Sequence, residues 1–290
     1  MDIYHAIDAL ELVDLYWSIV KDRSEKMLKL NVLVSYQSFR GQHNTLLRLR
    51  REGKIGLAFL DAQTFGMNPN GENPGLIDKF EEYKHVVKRH GLLFDHIASF
   101  DDRFNEPEHN ALNYAEMRRE FSHLMDANGK SVADKIVPVT HDRDFAAQEF
   151  LGYAQDGAKL IGIGSKPMVT DAQWAAIDQI RVSMNVRAHR FGNLGFKKLF
   201  DLKINSADSA RYARAGMYGK EMWFWDDNLK KDVKINLRSN QVTSRHMSFL
   251  AETFGVTVVD MLSDVKLLWV VNMYCSQKVQ EYLTDELEII

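Results

Sequence analysis

Gly56-Leu57-Ala58-Phe59-Leu60-Asp61-Ala62-Gln63-Thr64-Phe65 is the stretch on which the fold turns. It holds an unbroken apolar run that ends directly in a carboxylate. A run of that length without alternation reads as a strand buried on both faces, the kind found in parallel sheets covered by helices. The polar, helix-periodic stretch Gly75–His90 follows it, and the same succession recurs along the chain. Val32–Tyr36, Leu93–Ser99, Ile136–Thr140, Lys159–Gly164, Val186–Arg190 and Leu202–Ser206 read as further strands, with Glu221–Trp225 as an eighth. Pro107–Met125 reads as helix, with Pro107 near its start, where a missing N–H costs little.

Strand–helix alternation of this kind is the mark of an α/β protein. Eight strands over about 200 residues fit a (β/α)8 TIM-like barrel, for which about 250 residues is typical. A doubly wound open sheet is the competing arrangement, and periodicity alone does not exclude it. Ala6–Lys21 spaces Leu10, Leu12, Leu15, Trp17 and Val20 among polar residues, which predicts an amphipathic N-terminal helix. From Gln241 onward the pattern is helical, and the apolar stretch Val265–Tyr274 would either close the barrel or make a homodimer contact. No linker stands out. The expectation is therefore one domain over 1–290, with the barrel at about 31–255 and a helical extension at about 256–290.

Composition narrows the function. The 37 Lys+Arg against 40 Asp+Glu give a net charge of -3, so a nucleic-acid partner would need a local basic patch. Hydrophobic residues at 45% are ordinary globular usage and exclude wholesale disorder. A single cysteine, Cys275, excludes an internal disulfide and any cysteine-cluster metal site. Residues 1–30 show no basic segment leading into an apolar core, and no stretch is long enough to span a bilayer. A cytoplasmic protein without membrane partners is expected.

In a barrel, chemistry sits where strands end and βα loops begin. The residues found there are Ser35, Gln37, Asp61, Asp101, Asp102, His141, Asp142, Gly164, Ser165, His189, Arg190 and Asp208. An aspartate after a strand also serves simply as the cap of the next helix. Asp61, however, stands well before the next helix, with Phe65 four residues on, a setting for a general base beside a planar ligand. Asp208 precedes Arg211 and Arg214, which share one helix face suited to phosphates; as the bland reading, Asp208 is that helix's N-cap.

The strings Leu60-Asp61-Ala62-Gln63-Thr64-Phe65, Ser99-Phe100-Asp101-Asp102 and Ala207-Asp208-Ser209-Ala210-Arg211, in this order, resemble the tRNA-guanine transglycosylase superfamily. The likeness is closest to its virus-encoded, DNA-acting branch, which exchanges guanine for 7-deazaguanine bases. Pro138-Val139-Thr140-His141, Ile161-Gly162-Ile163-Gly164-Ser165 and Ala188-His189-Arg190-Phe191-Gly192 fall at the branch's expected places, and the resemblance runs from Val32 to Trp225.

The resemblance implies a pentosyltransferase with Asp208 as nucleophile and Asp61 as the carboxylate that serves as acid and base. It implies Asp101 as the guanine-recognising carboxylate, with His141, Gly164 and Ser165 lining the base pocket beside Phe65 and His189. Its co-substrate would be a free 7-deazaguanine base and its polymer DNA, in a host-cell cytoplasm if the chain is virus-encoded (a phage enzyme). The family's Asp-Ser-Gly-Gly-Phe has become Asp61-Ala62-Gln63-Thr64-Phe65, which makes the pocket floor bulkier. The tRNA enzymes' zinc, held by three cysteines and a histidine, cannot form with Cys275 alone, so neither metal nor other cofactor is expected. The chain is also shorter than those enzymes, without their tRNA-docking extension, which favours DNA.

Base exchange with retention needs two inversions, hence a carboxylate that bonds the sugar and a second that moves a proton. The target nucleotide would have to leave the helix stack first. Arg190, Lys197, Lys198, Arg211 and Arg214 are the expected backbone grips. Arg48, Arg50, Arg51 and Lys54 fall at the opposite face and read as a helix C-terminal charge cluster. Lys230, Lys231, Lys234 and Arg238 follow Trp223-Phe224-Trp225, which would stack bases or form a buried strand. Two other functions fit the strand ends: a metal-dependent barrel hydrolase using His141, Asp142 and His189 with Asp61, and a catalytically inactive nucleic-acid-binding subunit.

Overall fold

Nine short strands among the described residues all run parallel. They are β1 Asp2–Ala6, β2 Leu30–Ser35, β3 Ile55–Asp61, β4 His96–Ala98, β5 Ile136–Val137, β6 Val139–Thr140, β7 Leu160–Ile163, β8 Arg187–Arg190 and β9 Ser206–Ser209. The computed structural model describes residues 1–64, 77–104, 106–141, 144–164, 169–192, 199, 201–202, 204–214 and 220–287, with backbone only at 77, 214 and 287. The strand order is β5-β4-β3-β2-β1-β9-β8-β7-β6.

The two edges of that sheet are one stretch of chain. Ile136 and Val137 pair with Ile97 and Ala98 of β4, while Val139 and Thr140 pair with Gly162 and Ile163 of β7. Between them Pro138 has no N–H to give to a ladder. Its carbonyl accepts from the Gly162 N–H at 2.7 Å, so the chain changes partners there with little left unpaired. Taken as one stave, Ile136–Thr140 makes a nearly closed, TIM-like barrel of eight. Tyr4, Phe59 and His189 meet in its interior with ring centroids 4.9–5.7 Å apart. Full burial of the Phe59 ring contributes about 1.5–3 kcal/mol.

The barrel begins at residue 2, not at 31. Strand β1 was not expected because Asp2-Ile3-Tyr4-His5-Ala6 has no apolar run, yet Ile3, Tyr4 and His5 are almost wholly buried between β2 and β9. Burial pushes the His5 imidazole down to about 3, so it enters the core neutral. The N-terminal helix follows the strand as Glu11–Ile19. Strand β9 lies later than the expected Leu202–Ser206, since Ser206-Ala207-Asp208-Ser209 is sheltered by β1 and β8 and not by its own hydrophobicity.

Glu221–Trp225 is no barrel stave. As β10 (Glu221–Asp226) it pairs antiparallel with β11 (Lys231–Asn236), with Phe224 and Trp225 buried and Trp223 half-buried. The helical extension starts at Ser244, earlier than 256, and runs through Ser244–Thr253, Val258–Ser263 and Val265–Leu287. Leu268, Val270, Val271 and Met273 of the last helix are buried against the chain itself. Most of its apolar stretch is thus covered within the chain, with Val265, Leu267 and Trp269 half-buried. Asn272 pins the hairpin by accepting from the Trp223 N–H at 2.7 Å and donating to the Glu221 carbonyl at 3.2 Å. Among the described residues no helix is long and apolar enough to cross a membrane.

Candidate active site

Because every barrel strand points the same way, their C-terminal ends form one rim. Asp61 ends β3 opposite Ser35 of β2, Asp101 follows β4, His141 follows β6, Gly164 follows β7, Arg190 ends β8, and Asp208 lies within β9. Parallel topology thus gathers residues spread from 61 to 208 at one end. Phe65, Ser165, Lys197 and Lys198 lie outside the described residues, as do Asp142 and the side chain of Arg214.

Asp61 is half-buried, and the backbone N–H groups of Ala62 and Gln63 donate to it. Gln63 adopts φ 57°, the left-handed turn that aims its N–H back at the carboxylate. Burial outweighs these bonds and, with the nearby charges of Asp208 and Asp101, pushes the carboxyl up to about 7. At neutral pH it is present in both protonation states.

Asp208 is a strand residue and not the helix cap. That task falls to Ser209, whose Oγ accepts from the Arg211 N–H at 2.9 Å. The Asp208 Oδ1 accepts from the Gly192 N–H at 3.0 Å and contacts His189 Nε2 at 3.2 Å, while His189 Nδ1 contacts Ser206 Oγ at 3.0 Å. His189 has 0% exposure. It stands behind Asp208 and not, as the resemblance implied, on a surface lining a base.

Asp101 is buried and doubly held: Thr64 Oγ1 donates to Oδ1 at 2.6 Å, and His141 Nε2 bonds Oδ2. The His141 ring stacks on Phe104 with centroids 4.2 Å apart. Its other side lies on Gly164, where an added Cβ would meet His141 Nδ1 at 2.3 Å. Glycine at 164 is therefore a spatial requirement. The neighbouring Asp102 turns away, to His109 and Asn113 on the helix Pro107–Phe121, and is structural.

Two expected phosphate grips have other work. Arg190 is buried, donates to the Gly164 carbonyl at 3.1 Å, and lies over the Trp174 ring. Arg211 bonds Asp232 of β11 and sits 3.2 Å from the Trp223 ring centroid. Both are pressed into the protein, where burial lowers their proton affinity. The lower cluster is likewise tied down, Arg48 and Lys54 on Asp14 and Arg50 on Asp95.

Four groups had no assigned part: Thr64, Phe104, Gly192 and Ser206. Ser206 was legible, because strand period 2 puts it on the face of Asp208. The other three lie beyond the strands, where spacing does not predict partners. Among the described residues no three His, Cys, Asp or Glu side chains are grouped to hold a metal ion. The rim therefore offers Asp61, able to give and take a proton at neutral pH, Asp208, bonded at Oδ1, and Asp101, held through both of its oxygens. No protein-family model matches the chain, and a search of curated proteins finds no match.

Proposed function

We propose that this chain is a pentosyltransferase that exchanges guanine in DNA for a free 7-deazaguanine base through a covalent Asp208–sugar intermediate. The observation that carries the reading is the contrast between two carboxylates on one rim. Asp61 is raised to about 7 because burial outweighs its two backbone donors and the nearby charges of Asp208 and Asp101 add to it. On Asp208 both contacts, from Gly192 and His189, fall on Oδ1 alone. Carboxyl groups whose environments differ in this way divide into acid and nucleophile.

In the first half-reaction Asp208 attacks C1′ as the bond to guanine breaks, and the departing base takes the proton of Asp61. In the second, Asp61 removes a proton from the incoming base, whose nitrogen attacks C1′ and returns the electron pair to Asp208. Two inversions leave the sugar's configuration unchanged. Asp101 would accept from the N1–H and amine of a guanine-like edge. Its bonds to Thr64 and His141 hold it in place and leave two of a carboxylate's roughly four lone-pair sites for substrate. An adenine edge presents an acceptor there and would leave Asp101 underpaired.

The test is incorporation. Guanine-containing DNA incubated with the protein and a labelled deazaguanine should take up label, and Asp208→Asn should not. Full incorporation by that variant, or none by the folded unsubstituted protein with guanine and a panel of deazaguanines, overturns the reading.

A further inference from the structure

Resting on Asp208 as the nucleophile, we infer that His189 is a positioning residue which, with Ser206, decides which oxygen of Asp208 attacks the sugar. The assignment follows from who can donate to whom. An ionised carboxylate only accepts, so the His189 nitrogen 3.2 Å from Oδ1, Nε2, carries the hydrogen. In a neutral imidazole Nδ1 is then the acceptor, and its neighbour at 3.0 Å is the Ser206 hydroxyl, which donates to it. The tautomer is fixed by a hydroxyl that itself belongs to the nucleophile's strand.

The ring has no freedom to choose otherwise. His189 is fully buried, with Phe191, Phe59 and Tyr4 rings at 4.4, 4.9 and 5.7 Å. Its strand pairs with β9 in the register His189↔Ser206. With Gly192 N–H as the second donor, both hydrogen bonds converge on Oδ1, and no described residue donates to Oδ2. Oδ2 keeps its lone pairs and is the attacking atom.

The consequence is a division of labour within one carboxylate. As Oδ2 bonds to C1′ and the electron pair of the broken bond leaves with the base, Oδ1 becomes the ester carbonyl. In the second half-reaction the C1′–Oδ2 bond breaks and the electron pair returns to the carboxylate. Charge then reappears on Oδ1 between two preplaced donors, which makes Asp208 a better leaving group. His189 thus serves resolution of the intermediate more than its formation.

Two measurements test this. Long-range 1H–15N spectra of the unsubstituted protein at neutral pH should show His189 as the Nε2–H tautomer, and Ser206→Ala should yield a mixture. A protonated Nδ1 in the unsubstituted protein overturns the inference, whether or not exchange is observed. In single-turnover exchange, His189→Leu should slow breakdown of the trapped protein–DNA adduct about 100-fold. Adduct formation and KM should change far less, and His189→Gln, which restores a donor near Nε2, should recover most of the loss. Equal slowing of both half-reactions with no recovery by Gln would mean a merely structural histidine. Absence of exchange by the unsubstituted protein removes the proposed function itself, whereas unchanged adduct breakdown in His189→Leu removes only this inference.

Discussion

Tyr4 stands directly opposite Asp208 in the parallel ladder of β1 and β9. The fourth residue of the chain therefore sets the height of the candidate nucleophile on the rim. The same side chain lies with its ring 5.7 Å from His189, the group that contacts the Asp208 Oδ1. One short N-terminal strand thus supports both the backbone of Asp208 and the imidazole behind it.

The Tyr4 hydroxyl is buried and has no hydrogen-bond partner among the described residues. An orphaned buried hydroxyl costs about 1–3 kcal/mol. Tyr4→Phe should therefore match or exceed the parent in urea unfolding, with base exchange retained. Tyr4→Ala should lose about 3–5 kcal/mol through the cavity it leaves. A Phe variant much weaker than the parent would show that the hydroxyl has a partner.

Asp61 gives a pH signature independent of activity. Its carboxyl titrates at about 7 in the fold against an ordinary value of 3.8, so between these limits the native state holds a proton that the unfolded chain has released. Stability contributed by this group accordingly falls as pH rises through that window. Asp61→Asn abolishes the dependence, and its urea midpoint relative to the parent should rise from pH 4 to pH 8. A parent that gains on the variant over that range contradicts the proton-retaining carboxyl. Exchange by Asp61→Asn should drop about 100-fold or more, the usual contribution of a positioned acid–base group.

The barrel was legible because strands buried on both faces, such as Ile161–Ile163, leave unmistakable apolar runs. Strand β1 and the true bounds of β9 were not, because His5, Ser206 and Asp208 are buried by register and hydrogen bonds and not by apolar character. The rim carboxylates could be placed from strand ends alone. What the arginines do could not: Arg190 and Arg211 face aromatic rings, Trp174 and Trp223, that the fold brings up from the neighbouring helix and hairpin. A cation near an anion-binding motif is ambiguous in sequence between gripping a ligand and gripping the protein.

Arg211 separates those two roles. Its guanidinium lies over Trp223 and bonds Asp232, a largely covered pair. Removing one partner strands the other, so Arg211→Ala should cost about 3 kcal/mol, and Arg211→Ala combined with Asp232→Ala much less than the sum of the singles. Meanwhile the slope of log affinity for DNA against log salt should stay unchanged. A slope reduced by about 1 would instead mark a lost phosphate contact.

Gln63 carries the clearest local misfit at the site. It holds φ 57°, where a side chain with a Cβ is strained, and its Oε1 is buried without a partner among the described residues. What the site needs from it is the backbone N–H that reaches Asp61, which any residue but proline supplies. Gln63→Gly should relieve about 1–2 kcal/mol of left-handed strain and free the orphaned carbonyl, against about 0.4–1 kcal/mol of added chain entropy in the unfolded state. The balance is a gain of about 1 kcal/mol, which a chain of 290 residues registers as a rise of about 1.5–2 °C in Tm. With the N–H kept and the side chain gone, exchange should persist and bases carrying larger 7-substituents should be accepted faster. A fall in Tm would show that Gln63 makes a compensating contact, and unchanged discrimination among 7-substituents would place its side chain away from the base.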